Sequence, residues 1–431
     1  MASNHHSRPN TIKNYSGEAL DQLSDILLAS LIASGGPTRQ DAFGRQRVSS
    51  ATSTFDTKFT HSAAPLHWDD QEISGGTTST AWDVNRAGVS IGVAETTAGL
   101  RRRQTFQRFD QQPGRSRMVV MSSVPVRSGG GPGVVVRMGL FDDSNGFGVS
   151  IEDGIFSFFV RSNATGTPVD TTVTQSNWSV DNFDGNGPSS VDLDPGKSQI
   201  LWMDYDWMGA GSIRFGWVIN GQFITAHEHH STNSIGTVYA STTDLPLRHE
   251  VENDGTGTAT LSEQLSASII SETGATARAI LHTASTNGLG ITPADGAVAA
   301  AVGLRLKSTH LATHVDPYLV SIINEGNTPG FEWRVIFNPD VAGTWTYAPL
   351  DNSGVEVAVG AVDGSNLVTN GTVLASGVGT GIKQAQLDPQ ISSSLRLGAA
   401  IDGTVDQLVI AIIPFGAESV IDVSLNWRER T

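Results

Sequence analysis

Three groups of residues in this chain have types and spacings that invite chemistry. Asp204 and Asp206 flank Tyr205 in an otherwise apolar run. In an extended strand, residues two apart share a face and sit roughly 6–7 Å from each other. Glycoside hydrolysis needs two carboxyl groups about 5–9.5 Å apart. The same pair also suits plain sheet chemistry, with carboxylates facing cross-strand cations such as Arg214. No substrate cleft is legible around them. The pair therefore points to sugar contact rather than cleavage, with Trp207 beside it as an exposed stacking platform.

The second group closes the stretch FGWVINGQFITAHEHH, residues 215–230. Alternation puts His227 and His229 on one strand face and Glu228 and His230 on the other. Two imidazoles hold Zn²⁺ when a third ligand arrives from elsewhere, and His249 with Glu250 is one source. No second half with matching ligand spacing exists, so hydrogen-bonded histidines at a strand end are the simpler reading. The third group is a pair of acidic turns, Asp142-Asp143-Ser144-Asn145 and 181–187. Ca²⁺ takes oxygen ligands from such loops, with Asp181 and Asp184 as candidates. The second turn lacks the distal Glu of an EF-hand loop. Asp and Asn bonding their own backbone explain both turns without a cation. The chain demands no cofactor, and Ca²⁺ remains open.

The surrounding composition narrows the function classes. Of 431 residues, 38% are hydrophobic and only 16% charged, and Gly numbers 47. Gly and Asn supply the positive φ angles of tight hairpins, so this mixture suits an all-β protein better than a helical enzyme. The net charge of −16 repels phosphate backbones and argues against nucleic acid as a partner. The basic cluster Arg101, Arg102, Arg103, Arg108, Arg115 and Arg117 reads as a set of salt bridges to the many carboxylates, within the chain or between subunits. Cysteine is absent, which excludes disulfides and thiol chemistry. No stretch reaches the roughly 18–20 apolar residues of a membrane-spanning helix. The first residues carry no apolar signal core, so a secretory route is not expected.

The elements that must position these groups are mostly strands. One segment is helical by pattern: after Ser16, the residues Leu20, Leu23, Ile26, Leu27 and Leu31 form one apolar stripe, and Gly35-Gly36-Pro37 ends it. That stripe is expected to pack on the chain's own β domain or, the preferred reading, on a sister subunit. Residues 38–80 read as an extended arm, so residues 1–80 form a helix and anchoring arm. From 81 to 275 the period is two, in short runs punctuated by Gly, Asn and Asp. Candidate strands include Thr105–Phe109, Gln199–Tyr205, Ile213–Ile219 and Gln222–His227. Asp153-Gly154 and Asn220-Gly221 are two-residue hairpin signals. Residues 276–300 read as a linker, and a second, smaller β-sandwich is expected over 301–431, with Leu395–Ala400 among its strands. The fold class is mainly β: two sandwiches behind a short helix and arm.

From about residue 41 to the C-terminus the sequence resembles a group of virion structural proteins of tailed phages, especially marine and cyanobacterial ones. The matching words include Asp41-Ala-Phe-Gly-Arg-Gln-Arg-Val-Ser, Phe106-Gln-Arg-Phe-Asp-Gln-Gln-Pro-Gly-Arg-Ser, Arg137-Met-Gly-Leu-Phe-Asp-Asp-Ser-Asn-Gly, Leu245-Pro-Leu-Arg-His-Glu-Val and Ser424-Leu-Asn-Trp-Arg-Glu. The central region also resembles a concanavalin-type lectin sandwich of jelly-roll layout. The resemblance implies a non-enzymatic building block of a virion assembled in the host cytoplasm. A tail fibre, baseplate or receptor-binding component comes first, a capsid decoration or head-fibre protein second, and a polysaccharide depolymerase third. It implies a homo-oligomer, expected to be a trimer, in contact with other virion proteins and with host surface glycans, without membrane insertion.

Overall fold

The computed structural model describes residues 41, 51–272, 279–325, 330–387 and 396–430. The predicted helix with Leu20, Leu23, Ile26, Leu27 and Leu31 lies outside the described residues. The first sandwich is built from β1 (Ala51–Lys58), β2 (Trp68–Ser74), β3 (Ser79–Asp83), β4 (Gly88–Val93), β5 (Gly99–Thr105), β6 (Arg117–Ser128), β7 (Val134–Phe141), β8 (Gly146–Glu152), β9 (Ile155–Ser162), β10 (Val169–Thr174), β11 (Gln199–Tyr205), β12 (Ser212–Ile219), β13 (Gln222–His230), β14 (Leu247–Asn253) and β15 (Thr260–Glu272). An eight-stranded sheet runs β13-β12-β11-β6-β15-β4-β3, with β1 added on β15. A seven-stranded sheet runs β10-β9-β8-β7-β14-β5-β2. All pairings are antiparallel, so each strand gives alternate residues to the space between the sheets.

Those alternate residues make one continuous core. Leu201, Met203 and Tyr205 of β11 meet Phe147 of β8 and Phe156 and Phe158 of β9, and Trp217 of β12 closes the layer. The turns follow the hairpin signals. Asp153-Gly154 joins β8 to β9 with φ of 49° and 75°, and Asn220-Gly221 joins β12 to β13 with 51° and 76°. Both residues at positive φ is the condition of the turn that matches the right-handed twist of the strands.

The second sandwich comprises β16 (Ile280–Ser285), β17 (Ala299–Leu306), β18 (His314–Asn324), β19 (Gly330–Phe337), β20 (Asp340–Val341), β21 (Ala348–Pro349), β22 (Val355–Val359), β23 (Val368–Thr369), β24 (Thr372–Gly379), β25 (Ile382–Gln386), β26 (Gln407–Phe415) and β27 (Ile421–Arg430). A six-stranded sheet, β21-β22-β17-β26-β19-β24, packs on a four-stranded one, β16-β27-β18-β25. Buried Glu429 ties the two layers. It accepts from the Ser353 hydroxyl at 2.6 Å and the Gly354 amide at 2.5 Å, while Trp427 beside it stacks on His282.

Four boundaries differ from the sequence reading. Residues 51–80 are not an arm: β1, β2 and β3 pair with β15, β5 and β4 of the same chain. Their apolar residues are sparse, but Phe55, Phe59 and Trp68 all enter the first core. The expected strand Thr105–Phe109 is displaced to β5, where inward Arg101 and Arg103 stand in place of the apolar alternation. The proposed linker holds β16 and the buried Ile291, so the second sandwich begins by Ile280. Within Leu395–Ala400, the described residues make only an isolated bridge, Ala399 to Val405.

Arg103 is fully buried between the sheets. Its guanidinium packs over the rings of Phe59 and Trp68, 4.9 and 5.1 Å from their centroids. It bonds Gln264 at 2.9 Å, Asp70 and the Ala63 carbonyl. His249, also fully buried, binds Ser262 at 2.7 Å. Burial, with Arg103 adding to it, pushes the His249 imidazole down to about 3, so it stays neutral.

The sandwiches meet at an ionic seam. Arg396 and Arg430 both reach Asp110, at 3.4 and 3.8 Å. The Ala399 amide bonds the Phe106 carbonyl at 3.0 Å, and the Ile401 amide bonds Asp69 at 2.8 Å. A Cβ on Gly398 would stand 2.1 Å from the Phe106 carbonyl oxygen, so only glycine permits this approach. Near Asp110, burial pushes the Asp244 carboxyl up to about 6, against its bond from the Gln111 amide.

Two outcomes follow from these buried charges. Arg103→Ala strands Asp70 and Gln264, and should lower the unfolding free energy of the first sandwich by about 3–5 kcal/mol, read from urea melts. Asp244 has a folded pKa above its unfolded value, so the folded state binds the extra proton between about pH 4 and 6. Its contribution to stability is therefore present at low pH and lost as pH rises through 6. Asp244→Asn should gain up to about 3 kcal/mol over wild type at pH 7.5 and nothing at pH 4.

Candidate functional site

The outer face of the seven-stranded sheet carries the densest polar array of the first sandwich. Two rows cross it. One runs Asp69, Gln104, Arg248, Gly139, Gly148, Phe159, Thr172; the next runs Gln71, Arg102, Glu250, Arg137, Ser150, Ser157, Thr174. Each row follows from cross-strand register, because every second residue of β2, β5, β7, β8, β9, β10 and β14 points away from the core.

The array is built in layers. Gly139 and Gly148 form a floor where backbones approach so closely that a Cβ would stand 2.4 and 2.3 Å from a carbonyl oxygen of the neighbouring strand. Phe141 and Phe159 meet edge to face beside this floor, with centroids 5.2 Å apart. Arg248 and Arg161 lie over these rings at 5.2–5.8 Å. Carboxylates fix the guanidiniums in turn. Arg161 grips Asp170 with two bonds of 2.8 and 2.9 Å. Asp143 receives Arg248 at 2.7 Å and Arg102 at 2.8 Å. Arg102 also bonds Glu250 at 3.1 Å, and Arg137 bridges Glu250 and Glu252 at 3.2 and 2.8 Å. Arg108 holds Asp142 at 2.7 Å.

Ion pairs cross this face: Arg102, Arg108, Arg137, Arg161 and Arg248 meet Asp142, Asp143, Asp170, Glu250 and Glu252, with Asp69 and exposed Glu152 on the same face. Burial raises the Asp143 carboxyl, but Arg248 and Arg102 outweigh it and hold it below the usual carboxylate range. Burial also opposes the charge of Arg137, and Glu250 and Glu252 overcome it and raise its pKa. Only part of the array meets solvent. Arg102, Arg248 and Glu250 are 3–7% exposed, whereas the side chains of Arg137 and Glu252 are 22% and 44% exposed. Ser150 is half-buried, and Thr172 and Thr174 are exposed. The open part is thus a patch of hydroxyls bordered by the Arg137–Glu252 and Arg161–Asp170 pairs and by exposed Glu152.

This patch has two carboxylates two residues apart on β14, Glu250 and Glu252. Both Glu250 oxygens engage guanidiniums, and Glu252 shares Arg137. The arrangement holds donors and acceptors still; it does not present an acid to a leaving group.

The residues singled out from the sequence lie elsewhere. Asp204 and Asp206 sit on and just past β11 of the other sheet, both essentially unexposed. Asp204 accepts from Ser116 and from Arg214, its direct cross-strand neighbour. Asp206 accepts the Ser212 amide at 3.2 Å, and its carbonyl accepts the Tyr239 hydroxyl at 2.8 Å. Trp207 is half-buried, with Nε1 donating to the Ala240 carbonyl at 3.1 Å. These three residues are built into the fold rather than displayed. The reason is local packing: Trp202 beside Asp204 on the outward face is covered by Gly216 and Phe223, whereas Ile200 of the same face is exposed.

His227 lies parallel to the rings of Phe158 and Phe215, and its Nδ1 accepts the Ser179 amide at 3.2 Å. His229 pairs with Ile213 on β12, and His249 is bound to Ser262 inside the core. Asp181 places both oxygens on backbone amides, those of Phe183 at 2.9 Å and Ser189 at 2.7 Å. Asp184 accepts the Asn186 amide at 2.9 Å. Among the described residues, no three His, Asp or Glu are grouped to hold a metal ion. The acidic turns are Asx turns, and of the Arg cluster Arg102, Arg103 and Arg108 form ion pairs within the chain, while Arg101 bonds Thr80 and the Asp70 carbonyl.

The array on β5, β7 and β14 was not assembled from sequence. Its signals were present as Arg101-Arg102-Arg103 and as Leu245-Pro-Leu-Arg-His-Glu-Val. Alternating charge with buried polar residues hid both strands.

No protein-family model and no curated protein matches this chain. Solved structures do. An endo-1,3-β-glucanase from Streptomyces sioyaensis aligns at 10% identity and a TM-score of 0.39, over 52% of this chain and 97% of its own. The carbohydrate recognition domain of Emp47p aligns at 9% and 0.34, over 53% and 100%. The CBM2 module of the evolved Dit of Lactobacillus casei BL23 phage J-1 aligns at 7% and 0.34, over 53% and 99%. At these values no residue role is carried over.

Asp204 is a structural ion. Asp204→Ala removes the buried acceptor that Arg214 and Ser116 share and should cost about 3–5 kcal/mol in thermal or urea unfolding, as breaking a buried pair does.

Proposed function

We propose that this chain is a non-catalytic structural protein of a tailed-phage virion that binds host surface glycans through the outer face of its seven-stranded sheet. The reading of the particle rests on the sequence resemblance over residues 41–431. The reading of the face rests on one observation: a patch of Ser and Thr hydroxyls flanked by Arg137 and Glu252, which pair with each other. Sugars present many hydroxyls and no net charge. A surface of pre-positioned donors and acceptors recognises them without leaving a buried ion unpaired. Paired carboxylates also suit binding rather than hydrolysis. Copies of the chain would assemble around an axis, as a tail fibre or baseplate component, and multiply weak contacts into avidity.

The test is binding of the purified chain to host cells and to extracted host polysaccharide. Arg137→Ala and Thr172→Ala, both on the patch, should each weaken binding about tenfold, the scale of one lost charged or two lost neutral hydrogen bonds. No reducing ends should appear on prolonged incubation. Absence of binding by the wild-type chain to any host glycan would end the reading of the face. Copy number per virion tests the placement: tens fit a tail component, and hundreds a capsid decoration.

A further inference from the structure

The outer face of the four-stranded sheet in the second sandwich keeps apolar side chains in water. Cross-strand register puts Ile382 of β25 directly opposite Ile323 of β18, and Ile323 opposite Asp422 of β27. The Asp422 carboxylate accepts the Gly290 amide at 3.0 Å, which brings neighbouring Leu289 to the end of the same row. Ile323, Leu289 and Ile382 are 44%, 68% and 72% exposed, and they stand in line rather than singly. The next row across the strands is Ser285, Ser424 and Ser321. Its side chains are short, so a groove of about 240 Å³ opens beside the apolar line, with Ile323 and Asp422 on its wall.

What covers such a line must be apolar, elongated and near at hand. Residues 16–34 meet the first two conditions by sequence: Leu20, Leu23, Leu27 and Leu31 give one helical stripe about 16 Å long at 1.5 Å per residue. Strands about 4.8 Å apart set the line from β25 past β18 and β27 to the turn after β16 at about 14 Å, close to the same length. The third condition follows from where the described chain starts. Ala51, at the head of β1, pairs with Glu272, the last residue of β15. β16, the edge strand of this face, begins soon after, at Ile280. Residues 32–50, between the stripe and Ala51, span up to roughly 60 Å when extended, enough to reach the face. Such a tether holds the stripe there at an effective concentration on the order of millimolar, which a dilute second copy does not match. We propose that residues 16–34 lie on this face of their own chain, with the leucine stripe seated along Leu289, Ile323 and Ile382 and over the serine groove. The start of the chain then clasps the second sandwich to the first, and the stripe is not free to anchor elsewhere. Nothing in this depends on the glycan face.

The chain has no cysteine, so an introduced pair reports alone. Leu20→Cys, Leu23→Cys, Leu27→Cys and Leu31→Cys are each combined with Ile323→Cys, an exposed position, in the full chain. Mild oxidation should give a faster-running monomer on a non-reducing gel for at least one pair, since a disulfide needs Cα atoms about 4.4–6.8 Å apart. The same leucine variants combined with Val169→Cys, exposed on β10 of the first sandwich, should give none. In a second measurement, amide hydrogen exchange of residues 20–31 is compared between wild type and Ile323→Asp/Ile382→Asp. Both changes are on the surface and leave folding intact, and exchange should quicken at least about tenfold as the apolar contact is lost. A disulfide-linked dimer in place of the fast monomer overturns the assignment to the same chain and gives the face to a second copy. No cross-link to Ile323→Cys from any of the leucine positions, equal cross-linking to Val169→Cys, or exchange unchanged by the two aspartates each overturns the proposal.

Discussion

A single guanidinium, that of Arg103, sets much of the first sandwich. A cation between two sheets is tolerable only where its charge and its donors are met together. Asp70 supplies the charge, Gln264 and the Ala63 carbonyl take further donors, and Phe59 and Trp68 pack against it. Those partners come from β2, β15 and the connection between β1 and β2. One side chain of β5 thus joins the strand pairing and the core contacts of Phe55, Phe59 and Trp68 in holding the residues before β3.

Charge on the outer face obeys the same rule on a larger scale. Five cations and the five anions paired with them lie nearly flat on a sheet, layered over two phenylalanines and two glycines. Long arginine stems cover apolar area while their heads stay hydrogen-bonded. A face of this kind is rigid before any ligand arrives, which reduces the ordering cost of binding.

Most of the strand framework was legible in the sequence, and the reasons are local. The runs Gln199–Tyr205 and Ile213–Ile219 alternate cleanly, and the turns Asp153-Gly154 and Asn220-Gly221 permit few other backbone paths. The site was not legible. Asp204 and Asp206 look like a displayed acid pair in one dimension, yet their burial is decided by Arg214, Ser116 and Tyr239. The outer-face array instead depends on register between strands distant in sequence: Arg102 on β5, Arg137 on β7 and Glu250 on β14 become neighbours only after folding. β5 was displaced in the reading because inward arginines break the apolar signal that marks a strand, and β16 because its exposed Ile280 and Leu281 carry no alternation.

The seam between the sandwiches gives the molecule a mechanical character. Greasy contacts slide, whereas directional bonds resist shear until they break. With Arg396 and Arg430 anchored on one aspartate and strand-like bonds at Phe106 and Asp69, the two bodies should transmit a sideways load as one beam. Strain applied at one end would reach the other without being absorbed by a hinge.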